Sequence, residues 1–268
     1  MSNPNLGDLD PDLVQRTMIE AADAAAAKTM AGFRSNLAVE NKWAAGFDPV
    51  TEADRDAEIA IRAVLSARFP DHGIIGEEWD AKASAGEFDW IVDPIDGTRA
   101  FISGVPVWGT LIGLTRNGRA VAGLMAQPFT DEIYIGMPGT SIYRRGGSAR
   151  AIQTSRVTEL RKAKVTATSP EIFELAGTTA AIARLRAATL QLRWGLDCYG
   201  YCLVAAGHLD LVAESALKTV DIAPLIPIIE NAGGVVTTWE GGPAEQGGNC
   251  IAAATPELHR AALEVLNG

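Results

Sequence analysis

Cysteine is scarce: the 268 residues hold three, Cys198, Cys202 and Cys250. An odd, sparse set excludes a disulfide framework, and without a nearby histidine it makes a poor zinc site, so the thiols are expected to be small core residues. Aromatic residues make up only 6% of the chain, and the three histidines, His72, His208 and His259, are scattered. His72 lies in a loop near the acidic motifs and is expected at the surface. Basic charge is in deficit, 23 Lys and Arg against 33 Asp and Glu, for a net charge of -10. Such a surface does not suit broad contact with nucleic acid or anionic lipid, although a bound metal can reverse the sign of a local site. No apolar run approaches the ~20 residues that span a bilayer. The first ten residues have no basic region followed by an apolar stretch, so a cytoplasmic location is expected.

What is present is an ordinary globular composition, 47% hydrophobic, and enough chain for one large core or two lobes. Residues 1–11 read as a loose arm. An alanine-rich helix is predicted to follow and to end near Gly32. "GFDPV" reads as a loop. Thr51 then caps a second helix, with Asp54 at the third position after it in the manner of a capping box, and Pro70 marks the exit. "GIIGEEWD" and "DWIVDPIDGT" each predict a short apolar strand running into acidic residues. Asn117-Gly118 predicts a hairpin between two strands, and strand patterning continues to about residue 146. Beyond it the spacing predicts a strand at "KVTATS", a helix over 170–188, an apolar helix at "YGYCLVAAG" and a strand at "LDLVAES". A helix at "APLIPIIENAG", a strand at "GGVVTTWEG" and a helix over 255–267 complete the chain. Alternating strands and helices indicate layered α/β lobes. The change of texture divides the chain into an N-terminal lobe, 1–150, and a C-terminal lobe, 151–268.

The acidic residues form the chemical signal. Glu77 and Glu78 follow one predicted strand; Asp93 and Asp96 follow the next, with Thr98 beside them; Asp221 stands in "KTVDIAP". Carboxylates at strand ends collect at a sheet edge, where open α/β sheets place ligands. Unpaired, they would raise one another's pKa, and a divalent cation resolves the conflict. Mg²⁺ favours such oxygen donors. Pro94 removes a backbone donor and stiffens the turn, and Gly97 permits a tight bend that returns Thr98 to the site. Taken singly, Asp93 and Asp96 serve equally well as turn and cap residues. Asp54 reads as a cap, though Thr51 and Asp54 could brace the acidic site, and Glu78 as a solvated partner of Glu77.

Four motifs taken in order, "DPVTEAD" at 48–54, "GEE" at 76–78, "WIVDPIDGT" at 90–98 and "DIAPLIPIIENAGG" at 221–234, resemble the inositol monophosphatase family of Mg²⁺-dependent phosphatases. The resemblance implies a five-layered αβαβα sandwich and a homodimer. It also implies that Glu77, Asp93 and the Ile95 carbonyl hold one Mg²⁺ and that Asp93, Asp96 and Asp221 hold a second, with a third, weaker ion near Glu77. Mn²⁺ is the alternative metal. By the same resemblance the backbone of Gly97 and Thr98 meets phosphate, Glu77 and Thr98 orient the attacking water, and Li⁺ inhibits.

The substrate is expected to be a small phosphorylated metabolite. Plain inositol phosphatases in the family carry tryptophan where this chain has Val220 and a small residue where it has Asp197. "GVPVWGTLIGL", "DCYGY", "LDLVAES" and "LKTVDIAPLIPIIE" look more like the histidinol-phosphate phosphatases of histidine synthesis, although that group often has an aromatic residue at the Val220 position. An ammonium group on the substrate would pair with Asp197, while Glu214 could contact either substrate; Asp96 and Asp221 face it as well. Asp197 fits the N-cap of the following helix equally well. Tyr199 and Trp194 either line the pocket or pack in the core. The alternatives are an inositol or broad sugar-phosphate phosphatase and a non-catalytic protein-binding regulator on the same fold. A bisphosphate phosphatase would need more basic residues near the motifs.

Overall fold

The computed structural model describes residues 6–35, 39–41 and 49–268. Residues 1–5 of the expected arm and 46–48 of the expected loop, Asp48 of the first motif included, lie outside them. The arm is not loose where it is described, because Leu6 is buried in the first core. Asp10 accepts the Asp12 N–H at 3.0 Å and Pro11 opens α1 (Pro11–Gly32), where the missing donor costs nothing. A short β1 (Glu40–Asn41) pairs with β2 (Pro49–Val50), so the end of the expected loop is a strand. At the start of α2 (Glu52–Arg68) the Asp54 carboxylate accepts the Thr51 N–H at 2.8 Å and the Thr51 hydroxyl at 2.6 Å.

A seven-stranded sheet follows, in spatial order β3 to β9. It comprises β3 (Gly73–Gly76), β4 (Phe88–Asp96), β5 (Gly109–Arg116), β6 (Arg119–Gln127), β7 (Glu132–Met137), β8 (Thr140–Arg145) and β9 (Ser148–Ala151), with α3 (Thr98–Ile102) between β4 and β5. Only β3 and β4 run parallel; the rest is antiparallel. The expected hairpin forms, with Asn117 at φ 49° and Gly118 at φ 76°.

The second sheet has the order β11-β10-β12-β14-β13. Its segments are β10 (Lys164–Ala167), α4 (Pro170–Leu175), α5 (Thr179–Ala188), β11 (Gln191–Trp194), α6 (Asp197–Ala205) and β12 (Leu211–Leu217). They continue through α7 (Thr219–Ile222), α8 (Leu225–Glu230), β13 (Val235–Thr238), β14 (Gly248–Ala253) and α9 (Pro256–Asn267). The single helix expected over 170–188 is two, broken where Gly177 turns left-handed at φ 69°. The helix expected at "APLIPIIENAG" is the shorter α8, and α7, a single turn just before it, was not expected. Strands β9, β11 and β14 escaped the pattern: β9 is exposed along its length, and β14 has a single β-branched residue, Ile251.

Helices α1 and α2 cover the outer face of the seven-stranded sheet through Val14, Met18, Ile61 and Leu65. Helices α6 and α8 fill the space between the sheets, and α4, α5 and α9 cover the far face of the second. The result is the expected αβαβα sandwich. The middle layer lies very close to the first sheet: a Cβ on Gly123 would fall 1.9 Å from the Pro224 carbonyl oxygen, and one on Gly136 2.3 Å from the Ile228 nitrogen.

Candidate active site and metal centre

Because β3 and β4 are parallel, their C-terminal ends open on the same edge and deliver Glu77 and Asp93 side by side. Strand β4 does not simply end there. Its pairing with β5 slips between Asp93 and Asp96, a bulge that turns both aspartates toward one space. Pro94 therefore sits inside the bulged strand end rather than in a free turn, and its missing N–H is consistent with the break in the ladder. The Pro94 carbonyl is held by the Thr110 hydroxyl at 2.8 Å, the Asp93 Oδ1 accepts the Ile95 N–H at 3.0 Å, and the Ile95 carbonyl accepts the Thr98 hydroxyl at 3.0 Å. Gly97, at φ 80°, makes the expected bend into α3.

Asp221, on α7, completes the cluster from the other half of the chain, with Oδ2 accepting the Lys218 N–H at 2.7 Å. One carboxylate oxygen from each of Asp93, Asp96 and Asp221 falls within 4.8 Å of the others. Glu77 stands beside this group rather than within it: its Oε1 accepts the Lys218 ammonium at 2.9 Å, while its charge acts on Asp93. Burial pushes the Asp93 carboxyl well above the usual range, and the charges of Glu77, Asp96, Asp221 and Asp54 push it further. Asp96 is raised in the same way by burial, then by Asp221 and Asp197, against the opposing Cys198 N–H at 2.9 Å. An all-oxygen donor set under this mutual repulsion fits a hard divalent cation and not zinc.

The acidic edge opens into a cavity of about 340 Å³ whose lining carries six carboxylates, Glu77, Asp93, Asp96, Asp197, Glu214 and Asp221, against two cations, Arg99 and Lys218. Asp197 is the first residue of α6, the cap position belongs to Leu196, and no side-chain cap bond forms, so the N-cap reading is corrected. Its backbone is left-handed at φ 45°, as is that of Ala216 across the cavity at φ 60°. Such conformations in non-glycine residues concentrate at functional sites. Asp197 also explains the tight fit at Gly97, where a Cβ would lie 3.1 Å from its carboxylate. Glu214 is buried on β12; Oε1 accepts the Thr168 N–H at 2.7 Å and the Thr168 hydroxyl at 2.9 Å, and Oε2 has no hydrogen-bond partner among the described residues. Burial raises its carboxyl well above the usual range, and the Asp197 charge adds to the rise.

Other expectations resolve differently. Val220 is buried against Ile91 and Ala223 and does not line the cavity, so the departure at that position bears on packing. Tyr199 gives its hydroxyl to Glu132 at 2.7 Å and Trp194 packs on Phe173; both are outside the cavity lining. His72 precedes β3, at the opposite end from Glu77, stacked between Phe69 and Phe88 rather than lying free at the surface. Asp54 is buried and both caps α2 and faces Asp93. Glu78 is half-buried, its N–H donating to Glu58. Arg99, Thr168, Tyr201 and Lys218 line the site without having been foreseen, because no motif spacing marks them.

The inositol monophosphatase family model matches residues 10–267. A bifunctional phosphatase of Arabidopsis thaliana chloroplasts is 35% identical over 98% of this chain and 80% of its own length. A histidinol-phosphatase from Chlorobaculum parvum is 36% identical, covering 94% of this chain and 95% of its own. Among solved structures, an inositol monophosphatase from Zymomonas mobilis superposes with a TM-score of 0.83 at 36% identity, over 96% of this chain and 98% of its own. With the sandwich, the acidic edge and these likenesses in place, the chain belongs to the inositol monophosphatase family of metal-dependent phosphatases and is itself a phosphatase.

Proposed function

We propose that the chain hydrolyses L-histidinol phosphate to L-histidinol and orthophosphate with bound Mg²⁺. The observation that supports this substrate is a pair of carboxylates beside the metal cluster, the half-buried Asp197 and the buried Glu214, the latter with an unengaged oxygen among the described residues. A polyol offers them only hydroxyls; an ammonium offers a charge-assisted bond. Asp93, Asp96 and Asp221 would hold one ion, and Glu77, Asp93 and the Ile95 carbonyl the other. When bound, such ions lower the pKa of a water and stabilise the leaving alkoxide. Around them, Glu77 and Thr98 orient the water, and the Gly97 and Thr98 N–H groups meet the phosphate at the start of α3.

Orthophosphate release from L-histidinol phosphate should exceed that from myo-inositol 1-phosphate by at least tenfold in kcat/KM, on the strength of one charge-assisted contact worth about 1.5–3 kcal/mol. Chelator should abolish both, and lithium should inhibit. Equal or reversed rates would remove the assignment. The second reading, an inositol or broad sugar-phosphate phosphatase, is favoured by the equal 36% identity to the Zymomonas mobilis enzyme. It expects Asp197→Ala to leave kcat/KM on the best substrate nearly unchanged, whereas the first expects a loss of about 10- to 100-fold confined to the amine-bearing substrate. A homodimer is proposed on the family resemblance, to be checked by light scattering.

A further inference from the structure

We infer that Glu58 is a positioning residue for the metal site, gripping the backbone just after Glu77, directly at Glu78 and through Arg62 at Trp79, and packing against Gly76 just before it; the inference rests on the reading of Glu77 as a metal ligand. Glu58 is fully buried on α2, on the same side as Ala57, Ile61 and Leu65, where an apolar side chain would be expected. Its Oε2 accepts the Glu78 N–H at 2.7 Å. Its Oε1 accepts Arg62 Nε at 2.7 Å, and the same guanidinium donates through Nη2 to the Trp79 carbonyl at 3.0 Å. Upstream of Glu77, the chain passes so close to Glu58 that a Cβ on Gly76 would fall 1.9 Å from Oε1. The indole of Trp79 adds a further tie, Nε1 donating to the Arg55 carbonyl at 3.3 Å.

Glu77 is thus suspended between a glycine pressed against the carboxylate and an N–H bonded to it. A helix needs no buried charge to fill an apolar face, and an isolated one is costly. A carboxylate and a guanidinium placed a helical turn apart do what an apolar pair cannot: they hold a donor and an acceptor of the neighbouring backbone at once. Groups that orient metal ligands from behind govern metal affinity without touching the metal.

Melting temperature followed over a magnesium series separates positioning from plain stability, because lost stability shifts the baseline and lost positioning shifts the half-saturating concentration. Glu58→Ala should raise that concentration by about 10- to 100-fold. Glu58→Gln, which keeps an acceptor for the Glu78 N–H, should recover part of it, and Arg62→Met should fall between. If Glu58→Ala does not fold, the other two variants carry the test. Variants that melt lower yet keep the wild-type half-saturating magnesium overturn the inference. Glu77→Gln run alongside tests the underlying reading: unchanged magnesium response there removes Glu77 as a ligand, whatever Glu58 does.

Discussion

Asp93→Asn removes the buried charge against which Glu77, Asp96, Asp221 and Asp54 press. In chelator at neutral pH the variant should melt above wild type, by about 2–4 °C for each kcal/mol of repulsion relieved, while magnesium no longer raises its melting temperature. Glu214 gives the cleaner pH test because it is not one of the three clustered aspartates. Its folded carboxyl is raised, so the folded chain binds that proton more tightly than the unfolded chain does. The stability it contributes is full below the ordinary carboxylate range and is lost as pH rises through the raised value. Glu214→Gln, which keeps an acceptor for Thr168, should therefore melt higher than wild type at neutral pH, and the gap should close toward about pH 4. Melts of both proteins across that range check the sign. The acidic residues were legible in the sequence because strand ends and a Gly-Thr turn mark them. Glu58, Thr168 and Lys218 were not, because each reaches the site from an element whose own sequence pattern is complete without it.

At the scale of elements, the middle layer depends on strands that carry no side chain where α8 crosses them. Gly136→Ala sets a methyl against the backbone at Ile228, with no flexible side chain to yield. It should cost more than about 3 kcal/mol, the upper end of ordinary overpacking. Gly86→Ala, which meets nothing within 4 Å, should be near neutral, and urea unfolding of the pair measures the difference. Elements with a local cause were readable: the Thr51 cap, the Asn117-Gly118 turn and the apolar runs of β4 and β12. The elements that were missed or merged depend on tertiary context. Strand β14 pairs on both sides and is held by its neighbours, and the division of 170–188 turns on one left-handed glycine.

Across the whole molecule, the proposed division at residue 150 falls inside β9, and α8 from the C-terminal part packs on β6 and β7. The two proposed lobes should accordingly unfold in one transition, with calorimetric and van't Hoff enthalpies in agreement; two resolved transitions would show independent lobes. No helix among the described residues is long and apolar enough to cross a membrane. The bulge in β4 has a further consequence. It fixes the reacting end of the cavity from one sheet, while Asp197 and Glu214 reach the same cavity from α6 and β12, in the C-terminal part of the chain. A lineage could exchange those recognition groups, and with them its preferred ester, without disturbing the apparatus that breaks the bond.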